Sequence, residues 1–105
     1  MKIVSAIALA SAMTAFAAGT AIAADEAAGK QLYGSSCASC HGMNGEGQGM
    51  FPKLAGHSAD EIVADLKAYK AGEKTGANAA MMAPMAAGLS DADMANLGAY
   101  IATLK

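Results

Sequence analysis

Cys37, Cys40 and His41 are the residues whose types and spacing could do chemistry here, in the run Cys37-Ala38-Ser39-Cys40-His41. Two thiols separated by two residues on a helical turn can add to the two vinyl groups of one porphyrin, and a histidine directly after them meets the iron from the same side. This is the Cys-x-x-Cys-His spacing of c-type haem attachment, in which cysteine anchors and histidine ligates. Such a pair also occurs as a thiol–disulfide couple, but that couple opens a helix beside a strand, in a β-α-β setting. No segment of this chain alternates apolar and polar residues with the β-branched and aromatic content of a strand. A structural zinc site needs more ligands than two cysteines with His41 and His57 easily supply at this spacing. The residues therefore point to one haem c per chain, covalently attached through Cys37 and Cys40, with His41 on the iron.

The elements that must position this motif begin beyond the amino end. Met1-Lys2 leads into an apolar stretch, Ile3 to Ala18, that closes in the small residues Gly19 to Ala24. That pattern predicts a cleaved secretory signal peptide over residues 1–24, cut after Ala23 or Ala24, and a mature monohaem domain over residues 25–105. The stretch is mostly alanine, lacks a basic far flank and falls short of the roughly 20 apolar residues of a spanning helix, so no stable membrane insertion is expected. Export to the periplasm follows, an oxidising compartment where two cysteines would otherwise be suspected of pairing. The mature domain keeps only 19 large apolar residues. A domain this small rarely stands on such a core and usually needs a staple, which a buried porphyrin would supply.

Three helices are predicted. Asp25 and Glu26 favour a start, and the pattern runs to Ser36. Ser58-Ala59-Asp60-Glu61 is a capping box, followed by Ile62, Val63, Leu66 and Tyr69 on one face until Gly72. Ser90-Asp91-Ala92-Asp93 repeats that logic before Met94, Leu97, Ile101 and Leu104. Between them two long loops are expected, Gly42 to His57 and Glu73 to Leu89, each longer than ordinary helix connections. The first is glycine-rich and sterically thin, suited to wrapping a flat object. The second holds Met81, Met82, Pro84 and Met85; by composition these methionines read as adaptable core filling, and beside a haem one of them becomes a soft axial ligand.

From Gly29 to Leu104 the chain resembles a small monohaem class I cytochrome c of the bacterial periplasm. The resemblance implies an all-α class I cytochrome c fold, three main helices and long loops wrapped around one covalently attached haem. It also implies a crossing of first and last helices through Gly29 and Tyr33 against Leu97 and Tyr100. It places the carbonyl of Pro52 on the Nδ1 hydrogen of His41, which orients the ring and tunes its basicity. Similar cytochromes carry the distal ligand about eight residues ahead of the last helix's capping serine, which selects Met82 relative to Ser90, then Met85, then Met81. His41 and Met82 are thus the expected axial metal ligands.

A net charge of −2 gives no basic footprint for nucleic acid, and no phosphate loop or hydrolytic triad stands out. The expected function is one-electron transport, not enzymatic turnover, by a monomer serving transient protein redox partners, an electron donor and a terminal acceptor or reductase. The competing reading keeps the haem but lets the methionine dissociate, giving a haem-based sensor or peroxidase-like protein. Met43 and Met50 are expected to pack at the haem edge, His57 to be a plain loop residue, and Lys53, Lys67, Lys70 and Lys74 to be solvated or to bias docking. An apolar docking rim is expected around Cys37, Ala38, Met43 and Met85.

Overall fold

Asp25 opens the first helix by accepting the Ala28 amide on its side chain. The computed structural model describes residues 23–105; the predicted signal peptide lies outside them except for Ala23 and Ala24. Five helices follow in order: α1 Glu26–Ser36, α2 Ala38–His41, α3 Ala59–Lys70, α4 Ala77–Ala87 and α5 Asp91–Ile101. Among the described residues there is no strand, only an isolated antiparallel bridge between Gln48 and Phe51. Both predicted capping boxes are formed: Ser58 accepts the Glu61 amide while Glu61 reaches back to the Ser58 amide, and Ser90 and Asp93 do the same. Each satisfies two of the unpaired donors at a helix start.

The scaffold is the crossing of α1 over α5. Gly29 lies so close to α5 that a Cβ there would stand 1.9 Å from the Asn96 carbonyl oxygen, so only glycine permits this approach. Four residues on, the Tyr33 ring meets Tyr100 with centroids 5.5 Å apart and a 52° tilt. The Asn96 side chain also accepts the Asp25 amide at 2.7 Å, pinning the start of α1. Helix α3 covers the other side of α5, and the shared core is Tyr33, Ile62, Leu66, Met94, Leu97 and Ile101.

One expectation fails. Residues 73–89 are not a long loop, because α4 occupies Ala77–Ala87. Nine of its eleven residues are alanine or methionine, among the best helix formers, and that propensity prevails over weak punctuation. Its N-cap Gly76 offers no side-chain bond, and Pro84 sits in the interior, where it cannot donate to the Ala80 carbonyl. The loop expected over Gly42 to His57 is present between α2 and α3.

Candidate haem site

The haem-attachment run is a single turn continued from α1. The Cys37 amide donates to the Tyr33 carbonyl at 2.9 Å and the His41 amide to the Cys37 carbonyl at 3.0 Å. Cys37, Cys40 and His41 therefore share one helical turn, as the spacing requires. Both thiols are free and half-buried. Burial, then the nearby Cys40, push the Cys37 thiol up to about 11. A thiol-exchange centre needs a depressed pKa at its attacking cysteine, so this environment argues against that use of the pair.

His41 is the buried polar side chain of the core region, only 8% exposed. Its Nδ1 lies 2.9 Å from the Pro52 carbonyl oxygen. A carbonyl only accepts, so Nδ1 carries the hydrogen and Nε2 keeps its lone pair free. The loop that delivers Pro52 is closed on itself. Gly47 donates to the His41 carbonyl at 2.8 Å, and Leu54 and Ala55 both donate to the Gly45 carbonyl. Gly47 adopts φ +78°, and a Cβ there would meet the Phe51 carbonyl at 2.7 Å, so the reversal carrying Phe51 and Pro52 depends on a glycine at this point. Phe51 then sets its ring edge-on to the imidazole, centroids 6.3 Å apart.

A cavity of about 680 Å³ opens beside this wall. Cys37, Cys40, His41 and Pro52 line one side, while Met81, Met82 and Met85 reach it from α4. Leu66, Leu97 and Ile101 continue the core into it. All five residues singled out from the sequence thus border one space, although Met82 lies forty-one residues beyond His41. Of the three methionines Met82 is half-buried and packed against the core, whereas Met81 and Met85 are 50% and 47% exposed. The volume falls within the roughly 300–1,000 Å³ of small-molecule sites. With two thiols on one turn, an imidazole with a free Nε2 and a soft thioether, the donor set fits an iron porphyrin.

Other side chains fall differently from expectation. Met50 lines the cavity but Met43, 72% exposed, does not, because the chain turns between them. Of the rim expected around Cys37, Ala38, Met43 and Met85, Cys37 and Met85 border the cavity whereas buried Ala38 and Met43 do not; its exposed apolar side chains are Met50, Met81 and Met85. His57 is more than a loop residue: it lines the cavity, and its Nδ1 pairs with Glu61 Oε2 at 2.9 Å. That hydrogen bond, then those from Ser58, lower the pKa of Glu61. Lys70 donates to the Leu89 carbonyl at 2.6 Å, and Lys74 pairs with Asp65 at 3.2 Å while lying over the Tyr69 ring. Two contacts had no signal in the sequence: Asn78 Nδ2 donates to the Met50 carbonyl, tying α4 to the opposite loop, and the Tyr33 hydroxyl donates to the Gly42 carbonyl.

This architecture is matched among known proteins. Cytochrome c-554(547) of Halothiobacillus neapolitanus is 57% identical over 91 residues, covering 79% of this chain and 100% of the relative. Cytochrome c6 of a Picosynechococcus species is 42% identical, over 97% of this chain and 93% of that protein. The crystal structure of reduced recombinant cytochrome c4 from Pseudomonas stutzeri superposes with a TM-score of 0.68 at 30% identity, covering 76% of this chain and 48% of that one. The present chain thus spans about half the length of that cytochrome c4. The five helices form the class I cytochrome c fold. The sequence pattern described as Cytochrome c matches residues 26–105, from the first residue of α1 through the cysteine pair to the end, and by that match the chain belongs to the cytochrome c family.

Proposed function

We propose that this protein shuttles single electrons between transient protein partners in the periplasm, with Cys37 and Cys40 bonded to its haem c and with His41 and Met82 as axial ligands. As a cytochrome c it is an electron carrier, not an enzyme, and its haem is attached through the Cys-x-x-Cys pair. When bound, the haem supplies a one-electron Fe(III)/Fe(II) couple whose potential depends on ligand identity and burial. One observation carries the ligand assignment: a single cavity is bordered by His41, with its Nδ1 committed to Pro52, and on α4 by Met82, the half-buried member of three methionines.

The chain's own residues serve this use in separate ways. The Pro52 carbonyl holds the imidazole plane and raises the basicity of Nε2. The apolar walls exclude water and favour the less charged state of whatever they enclose. Two protein ligands leave no position for a substrate, which suits carrying and not turnover. Met50, Met81 and Met85 form an exposed apolar rim, and α4 has no charged residue, giving a face suited to brief contacts below about 1,200 Å² in total. Cleavage within the small residues at the amino end would release the domain into the periplasm as a monomer. Among the described residues no helix is long and apolar enough to cross a membrane.

The test is optical. Protein matured in an exporting host should give a pyridine haemochrome of haem c, a low-spin reduced spectrum and, when oxidised, a methionine-to-iron band. Ready carbon monoxide binding by the native reduced protein at neutral pH would overturn the closed-carrier reading in favour of a dissociable ligand. Amino-terminal sequencing of the exported product should begin at Ala24 or Asp25.

A further inference from the structure

Tyr33 carries a polar atom where packing alone asks for none. The residue is 1% exposed and its ring already meets Tyr100 across the α1–α5 crossing, a task a phenylalanine would perform equally. A buried hydroxyl is costly unless bonded. Here it is bonded, at 2.5 Å, to the carbonyl of Gly42, the residue directly after His41. That carbonyl also accepts the Gly45 amide at 3.2 Å, so it anchors the first turn of the loop. The anchored stretch is the one that returns to His41: Gly45 accepts Leu54 and Ala55, Gly47 donates to the His41 carbonyl, and Pro52 receives His41 Nδ1.

We propose that Tyr33 is a positioning residue for the axial histidine: its hydroxyl clamps the Gly42 carbonyl to α1 and so holds the loop whose Pro52 carbonyl orients His41. The inference rests on the reading of His41 as an iron ligand. Burial pushes the Tyr33 hydroxyl up to about 12, so it remains a donor throughout the range in which the protein folds and works. Without the clamp, the Gly42 carbonyl keeps only the longer bond it accepts from Gly45, while the Gly42 amide stays on the Ala38 carbonyl, and the loop beyond opens more readily away from the imidazole.

The experiment compares Tyr33→Phe with Tyr100→Phe in the full holoprotein. Both remove a hydroxyl from the same aromatic pair, but that of Tyr100 has no hydrogen-bond partner among the described residues. In the reduced protein, exchange of the His41 Nδ1 hydrogen with solvent should be about tenfold faster in Tyr33→Phe, the order expected for one lost buried hydrogen bond. The reduction potential should shift in the same variant, and Tyr100→Phe should leave both quantities as they were. Unchanged exchange and potential in Tyr33→Phe, or equal changes in both variants, overturn the proposal. If Tyr33→Phe yields no holoprotein, the unsubstituted protein decides. Its Tyr33 hydroxyl and His41 Nδ1 hydrogens should then exchange with one common dependence on guanidinium, and separate dependences overturn the clamp. Failure of the ligand reading shows earlier and separately, as His41 ring resonances in the unsubstituted protein without any haem-induced shift.

Discussion

The two walls of the cavity are built on different principles. On the histidine side, α2 and the loop after it are tied by main-chain bonds from His41 to Gly47 and from Gly45 to Leu54 and Ala55, by the Gln48–Phe51 pair, and by the contacts of Tyr33 and His41. On the methionine side, α4 has no side-chain cap, contains Pro84, buries only Ala79 and Ala86, and is tied to the opposite loop by the single Asn78–Met50 bond. One wall is specified by directional bonds, the other by packing and by whatever it closes on. The polypeptide thus orients the histidine by directional bonds, whereas it holds the methionine side mainly by packing.

The largest effect that separates the walls is expected at Met82. Met82→Ala should abolish the methionine-to-iron band and lower the reduction potential by on the order of tenths of a volt, since axial ligands tune haem potentials over such a range. Met81→Ala and Met85→Ala remove half-exposed side chains and should keep the band. Absorbance and redox titration of the three variants check this, and loss of the band in either of the latter two would move the assignment to that residue.

Stability should divide along the same line. Gly47 and Gly76 both hold positive φ, +78° and +105°, yet only Gly47 has backbone atoms where a Cβ would go, with nothing within 4 Å of the Gly76 position. Gly47→Ala therefore combines conformational strain with collision and should cost about 4 kcal/mol, against about 2 kcal/mol of strain alone for Gly76→Ala, whose ψ of 173° puts it in a region that only glycine enters freely. Guanidinium unfolding of the holoproteins measures both. Equal costs would show that the loop beside His41 is looser than its bonding suggests.

How much of this was legible in the sequence follows the same division. The attachment turn could be read because its chemistry fixes its spacing, and α3 and α5 because a capping serine, an acid three residues on and an apolar face all agree. The crossing at Gly29 and the Pro52 contact came from family resemblance; helices α1 and α5 form the one and the loop after α2 makes the other. Helix α4 escaped because alanine marks neither face of a helix, so a run rich in it has no period to detect. Met43 and Met50 looked equivalent, yet the reversal between them leaves only Met50 on the cavity. The Tyr33 hydroxyl and His57 were invisible as site residues because their roles depend on partners that only the folded loop brings near.

Pro84 offers a smaller test of the looser wall. Pro84→Ala would restore a donor for the Ala80 carbonyl and remove the ring's clash with the preceding turn, a gain of up to about 3 kcal/mol in a helix interior. Part of that gain is offset, by about 0.4–1 kcal/mol, because the unfolded chain also becomes freer. A net gain of about 1 kcal/mol in the unfolding free energy is expected from guanidinium titration of the holoprotein. No gain would mean that the helix already accommodates the proline without a lost bond.

The smallest expected effect lies at the rim, where His57 and Glu61 meet. Glu61 is exposed, and its carboxyl is held below its ordinary value of 4.5 by the His57 hydrogen bond first and the Ser58 bonds next. A depressed carboxyl pKa means that the folded state binds fewer protons than the unfolded one. Its contribution is therefore present above about pH 4.5 and is lost as the pH falls through the folded value. Glutamine preserves the capping-box geometry while removing the charge, so Glu61→Gln should lower the melting temperature slightly near neutrality, converge with the unsubstituted protein at pH 3, and so flatten the fall between pH 6 and pH 3. Added salt should shrink the difference, since the pair is open to solvent. The methionine-to-iron band should be untouched throughout; if it weakened in step with Glu61 protonation, the two walls would be coupled through the rim.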